Sequence, residues 1–452
     1  MNVTARHLVM AIFLAAATQL YAPAATSGQA PLLTLSDAAI AAIEADPTLA
    51  AALARENAAE ADVRRATAAR LPTLNLEGAV TRFQEPMVVA PLHSFDPSSP
   101  PRFDEALVQG AARLRYTAFD GGRVGSSVRA ARSAREATEG HTATRRMDVL
   151  ARVTEAYLGV LGARAHQDAA ERQVTALEAE HVRARQRVET GSAAEVELLR
   201  ASAALEEARA AAISARARME LTERSLARTM GVDPSEIIEA GLEEIDVGDP
   251  VANETGPLVT SSAPVAHPDL EAAAAYERAA SERLDGERAA RLPRLDVTAA
   301  MLDYGTWSGG HVAEWQVGVA VSWPLFTGGA RSALIRRTEA ELSAARRETE
   351  AVARSIDAAI DAARSAIVEA DARSEALDAS VRQWTEVAPI EAHALDTGAG
   401  TQSDLLTAEA SLFRARAGLA EARYARLLAR VQLARALGRL DLDWLQRTLE
   451  VE

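Results

Sequence analysis

Two periodicities alternate along this chain. From Trp315 to Trp323, apolar residues take every second position (Trp315, Val317, Val319, Val321, Trp323) and small or polar ones the positions between (Gln316, Gly318, Ala320, Ser322), the period-two pattern of a strand with one apolar face. Further alternation predicts strands over 73–82, 106–118 and 294–304, and the fourth strand over 313–325. The other pattern is helical. Leu198, Leu205, Ala212, Met219 and Leu226 fall seven apart, the seam of a coiled coil. No proline occurs between Pro101 and Pro234, so an unbroken helix is expected from 122 to 190, about 100 Å long at about 1.5 Å per residue, reversing at Gly191-Ser192. Upstream, 32–69 reads as helix capped at Ser36-Asp37, divided at Pro47 and ended by Leu71-Pro72.

The patterns occur twice. Phe119-Asp120-Gly121-Gly122-Arg123 returns as Phe326-Thr327-Gly328-Gly329-Ala330-Arg331, Thr190-Gly191 as Thr397-Gly398, and Gly231 as Gly438, each offset by 207 residues. A register kept this long marks two tandem copies of one structural unit. The organisation is therefore a first repeat over 32–240, with a helical hairpin at 122–230, and a second over 268–440, with a hairpin at 330–438. Pro389 is expected to kink the long helix of the second. An acidic, Pro/Gly-rich connector spans 241–267, and 441–452 form a C-terminal tail. Leu71-Pro72 and Leu292-Pro293 are 221 apart, and the surplus falls in 84–104, which reads as a long loop at an exposed tip.

Composition narrows the chemistry. Aromatics make up 4% of the residues, as suits long helices better than a compact enzyme core. Cysteine is absent, which excludes disulfides, thiolate metal sites and lipidated cysteine. Lysine is absent too, which removes a Walker A lysine and Schiff-base chemistry. The net charge of −15 argues against non-specific nucleic-acid binding. Histidines such as His166 and His181 lack ligand spacing, and no cofactor, metal or enzyme activity is expected. Residues 1–24 have the parts of a secretory signal: Arg6, an apolar run, and small residues around Ala22-Pro23-Ala24.

Trp315 and Trp323 lie eight residues apart, about 26 Å along a strand, near the height of a lipid-facing band between aromatic girdles. The alternation also fits a soluble half-buried strand. Four strands cannot close a barrel, and an open edge in lipid leaves backbone groups unsatisfied, so a membrane sheet of this kind requires several chains sharing one barrel.

The run Ala69-Arg70-Leu71-Pro72-Thr73-Leu74-Asn75-Leu76, echoed by Ala290-Arg291-Leu292-Pro293-Arg294-Leu295, resembles the start of the first strand in each half of the TolC-type outer-membrane factors. The segment from Trp323-Pro324-Leu325-Phe326 to Ala333 is similar to that family's strand-to-helix turn. The resemblance implies a mainly α chain with a small membrane β-barrel. As a homotrimer it would form a twelve-stranded barrel in outer-membrane lipid above a periplasmic α-helical tunnel, with its tip closed at rest. It implies an exit duct of a tripartite efflux pump or type I secretion system, working with a periplasmic adaptor and an inner-membrane transporter. A soluble periplasmic coiled-coil adaptor or scaffold is the alternative; it would have one hairpin and small β-domains rather than two hairpins and four strands.

The same resemblance assigns candidate sites. The turns Thr190-Gly191-Ser192 and Thr397-Gly398-Ala399 correspond to adaptor-docking tips, although a reversal requires glycine in any case. Asp404 corresponds to an aperture aspartate, while Thr401-Gln402-Ser403-Asp404 has the spacing of a helix cap. Thr407 stands where a second aspartate is expected, and Glu197 corresponds to an acidic gate residue. The arginine expected near Gly400 is missing, so that latch is absent or rebuilt. Trp315 and Trp323 would form the aromatic belt.

Overall fold

The computed structural model describes residues 32–89, 93, 97–98, 100–245, 266–307 and 309–449. The expected signal at 1–24, connector residues 246–265, part of the first hairpin loop and residues 450–452 lie outside them. In chain order the elements are α1 (Leu35–Ala45), α2 (Pro47–Ala68), β1 (Thr73–Val88), β2 (Phe103–Phe119), α3 (Arg123–Glu189), α4 (Glu195–Met230), α5 (Pro234–Ala240), α6 (Pro268–Ala289), β3 (Arg294–Gly305), β4 (His311–Ser322), α7 (Ala330–Asp396), α8 (Gln402–Ala436) and α9 (Leu442–Leu449).

Helices α3 and α7 each have 67 residues, about 100 Å of rod. Pro389 lies within α7 without ending it. Each long helix begins after a Gly-Gly pair in left-handed backbone, with φ 72° and 93° at Gly121 and Gly122, and 61° and 84° at Gly328 and Gly329. Each return helix closes on a left-handed glycine in a crowded place. A Cβ on Gly231 would lie 2.5 Å from the Ala45 Cβ, and one on Gly438 would lie 2.8 Å from the Ala266 carbonyl. The first return helix therefore ends against α1, and the second against the residues that lead into α6.

Three local expectations change. The first helix is capped by Thr34, whose Oγ1 accepts from the Asp37 amide at 3.0 Å, and not at Ser36-Asp37. The loop expected over 84–104 is shorter, because β1 runs on to Val88 and pairs Met87 with Asp104 and Val88 with Phe103. Pro86 falls in the register break between Arg82 and Met87, where a residue without an amide proton costs no ladder bond. The fourth strand ends at Ser322 rather than 325, as Pro324 requires.

The strands form one antiparallel sheet in the order β1-β2-β3-β4, so β1 and β4 are its edges. In register, Leu76, Ala112, Met301 and Trp315 lie side by side. This face carries exposed Leu74, Leu76, Val80, Val317, Val319 and Val321. The opposite face carries Glu77 and Arg113, 3.0 Å apart, together with Arg115, Asp296 and Gln316.

Helix neighbours give the wall below the sheet. Near the strands α2, α3, α6 and α7 lie side by side; farther away the order is α4, α3, α8, α7. The main core lies at mid-height of α3, where Val149, Val153, Tyr157 and Val160 meet α1, the end of α4, and Leu445 and Leu449 of α9. The segment read as a tail thus contributes a packed helix. Tyr157 is fully buried, and its hydroxyl lies 2.8 Å from the carbonyl oxygens of Leu33 and Glu243, to which it donates. This ties the start of the connector to the N-terminal segment, in a belt of short elements packed on α3 at mid-height. Among the described residues no helix is long and apolar enough to cross a membrane.

Candidate functional site

The far end of the rods holds the two reversals. Thr190, Gly191 and Ser192 are exposed, as are Thr397, Gly398 and Ala399. Gly191 and Gly398 have φ 74° and 77°, which a residue with a Cβ adopts only at a steric cost. The Ser192 amide donates to the Arg187 carbonyl at 2.8 Å and its hydroxyl to the same oxygen at 3.0 Å. Gly400 and Ala399 donate to the Ala394 carbonyl at 2.9 Å. Both turns are therefore held by their own backbone and leave only small side chains outward.

Of the expected gate residues, Glu197 is drawn into a polar bridge between the hairpins, while Asp404 and Thr407 stay outside it. Arg187 of α3 lies 3.2 Å from a Glu197 carboxylate oxygen in α4 and donates at 2.5 Å to Oε1 of Gln402, the first residue of α8. The Gln402 Nε2 donates at 2.8 Å to Oε1 of Glu180, whose other oxygen lies 2.7 Å from Arg183. Glu180 is 1% exposed and Gln402 2%, so each depends on this bridge for its polar partners. Glu409 stands beside them. Burial pushes its carboxyl above the usual range, the Glu180 charge pushes it further, and Arg183 opposes both.

Asp404 is exposed two residues from Gln402, about 200° around the helix. Its carboxylate accepts from the Thr401 hydroxyl at 2.6 Å, and the Thr401 oxygen accepts from the Asp404 amide at 3.3 Å. Thr407 is also exposed and turns its hydroxyl back to the Ser403 carbonyl at 2.7 Å. The cap geometry at Asp404 thus leaves its carboxylate open to solvent. At the other end of the molecule, Trp315 and Trp323 are 76% and 60% exposed. Trp323 sits just past β4, where its Nε1 donates to the Arg291 carbonyl at 3.1 Å.

Sequence reasoning missed Glu180, Arg183, Arg187, Gln402 and Glu409. A signal existed in the repeat register. The positions 207 residues after Glu180, Arg183 and Arg187 hold Val387, Ile390 and Ala394, and those 207 before Gln402 and Glu409 hold Glu195 and Ser202. The bridge is built at positions where the copies disagree, so the α3–α8 seam is polar where the corresponding face of α7 is apolar. The position near Gly400 has no arginine, and the arginine that contacts both Gln402 and Glu197 is Arg187, from the other hairpin.

A family model described as outer membrane efflux protein matches residues 39–232 and 259–439. The outer membrane efflux protein BepC of Brucella suis biovar 1 is 26% identical over 343 residues, covering 74% of this chain and 72% of that protein. The outer membrane protein TolC of Vibrio cholerae is 26% identical over 422 residues, covering 88% and 89%. Among solved structures, the outer membrane protein VceC of Vibrio cholerae superposes with a TM-score of 0.74 at 21% identity, covering 89% of this chain and 96% of that one.

Proposed function

The chain belongs to the outer membrane efflux protein family, and on that premise we propose that three copies form one continuous exit duct across the periplasm and the outer membrane. The observation that carries this is the sheet. It has an exposed apolar face running from Trp315 to Val321, an opposite face with charged groups, and two unpaired edges at β1 and β4. In lipid those edges demand partners, and three four-stranded sheets closing edge to edge give twelve strands. In water the same face would be a large exposed apolar patch, which disfavours a soluble scaffold.

The 67-residue helices continue the sheet into a tunnel, with α4 and α7 as its free edges at the tip. We assign the gate to this end. The Arg187–Gln402–Glu180 bridge fastens a subunit's two hairpins together, and the exposed Asp404 of three subunits faces a narrow aperture. The turns at Thr190-Gly191-Ser192 and Thr397-Gly398-Ala399 receive a periplasmic adaptor, which links the duct to an inner-membrane transporter. The duct moves solutes passively; catalysis has no part in it. Membrane fractionation with semi-native electrophoresis tests this. A heat-sensitive trimer in the outer membrane is the expected result, and a soluble periplasmic monomer would refute it.

A further inference from the structure

A recess of about 350 Å³ lies where the strands hand over to the helices. Thr117, Arg294 and Ser322 at the strand ends line it, with Arg123 and Arg331 from the first turns of α3 and α7. The three strand residues share the polar parity of the sheet, opposite to Val317 and Val319. The recess therefore opens toward the lumen of a closed barrel, away from lipid.

Its chemistry is cationic and incompletely satisfied. Arg294 is held by Asp296 at 2.8 Å. The Nη1 of Arg331 is buried with no hydrogen-bond partner, which leaves the desolvation of a charged donor uncompensated. The acid lining the recess, Asp120, is already engaged: its two oxygens accept from the amides of Gly122 at 2.9 Å and Val124 at 2.7 Å. That carboxylate serves the N-terminus of α3. Its counterpart 207 residues on is Thr327, which has no carboxylate to offer the corresponding amides of α7. Where the first repeat supplies its own carboxylate to a helix start, the second has a threonine and an arginine Nη1 without a partner.

We propose that this recess binds an anionic oxygen group, a phosphate or carboxylate carried by a solute in the lumen, held by Arg331 at the start of α7 and Arg123 at the start of α3. The assignment rests on the reading of the chain as a duct, which would hold three such sites. Leu292 and Pro324 in its lining offer apolar surface to the body of the solute, so an aryl-bearing anion binds more tightly than the bare ion.

The test is calorimetric titration of the purified full-length oligomer with inorganic phosphate, phenyl phosphate and phenylacetate at fixed ionic strength. Saturable binding of phenyl phosphate, one per chain, is expected, weakened about tenfold or more in Arg331→Gln, since a charge-assisted bond is lost. Thr327→Asp supplies the internal carboxylate of the first repeat and is expected to abolish binding without loss of the oligomer. Inorganic phosphate binding as tightly as phenyl phosphate would overturn the solute assignment and leave a free-ion site. No saturable binding of any probe, or affinity unchanged in both variants, would overturn the site altogether. Bilayer conductance without added probe judges the duct separately: conduction without anion binding refutes only this site.

Discussion

The Arg187 guanidinium in the first hairpin donates a 2.5 Å hydrogen bond to Gln402, the residue that opens the last long helix of the second. It joins two elements 215 residues apart and secures the buried Glu180–Gln402 contact behind it. Arg187→Ala removes the donor to both Gln402 and Glu197, a loss of about 1–3 kcal/mol for partners left short of a bond. Amides of 177–205 and 402–409 are expected to exchange hydrogen faster in that variant, with the belt around Tyr157 unchanged. Equal exchange at the tip would deny the bridge its role.

Glu409 makes the seam sensitive to pH. Its carboxyl is raised by burial and by Glu180, against Arg183. A raised acid favours the packed form when protonated, so its contribution is complete below the ordinary glutamate range and is lost as pH rises through the elevated value. The tip is therefore expected to tighten on acidification. Glu409→Gln should hold it tight at neutral pH and flatten the profile, read by thiol labelling of a single cysteine placed at exposed Val182 in this cysteine-free chain. A profile as steep as that of the parent would assign the titration to another group.

The two faces of β4 respond oppositely to charge. Val319→Arg places a guanidinium on the exposed apolar face, at about 2–4 kcal/mol near a bilayer midplane. Gln316→Arg places it on the polar face at little cost. The first should deplete the heat-sensitive oligomer in outer-membrane fractions and the second should not. Equal depletion would contradict the assignment of faces.

Asp404 tests the aperture. Its carboxylate is exposed and touches only the Thr401 hydroxyl among the contacts described, so three copies at a constriction should attract cations. Asp404→Ala is expected to shift the reversal potential in a salt gradient toward anions and to weaken block by multivalent cations. Unchanged selectivity would leave the residue a helix cap.

Much of this fold is legible in the sequence because its rules are periodic. Trp315 to Val321 announces a one-faced strand, Leu198 to Leu226 a seam, and the 207-residue offset a duplicated unit. What is not legible depends on partners distant in sequence or on local composition that misleads. Gln84 to Val88 reads as loop because of Pro86, yet pairs as strand because the proline falls in a register break. Leu445 and Leu449 look like an ordinary tail until the belt that buries them is assembled. The bridge at the tip is the sharpest case. Glu180 and Gln402 lie 222 residues apart, and the cap spacing around Gln402 points to Thr401 and Asp404 instead; only the mismatch with Val387 and Glu195 in the repeat register marks the pair.

A duct gated at its tip is a pore whose conductance can be read across a planar lipid bilayer. The purified full-length protein is expected to insert as an oligomer with small, rarely opening conductance, and Arg187→Ala to raise it several-fold. An oligomer that inserts yet conducts no ions, in either the parent or that variant, would rule out the duct.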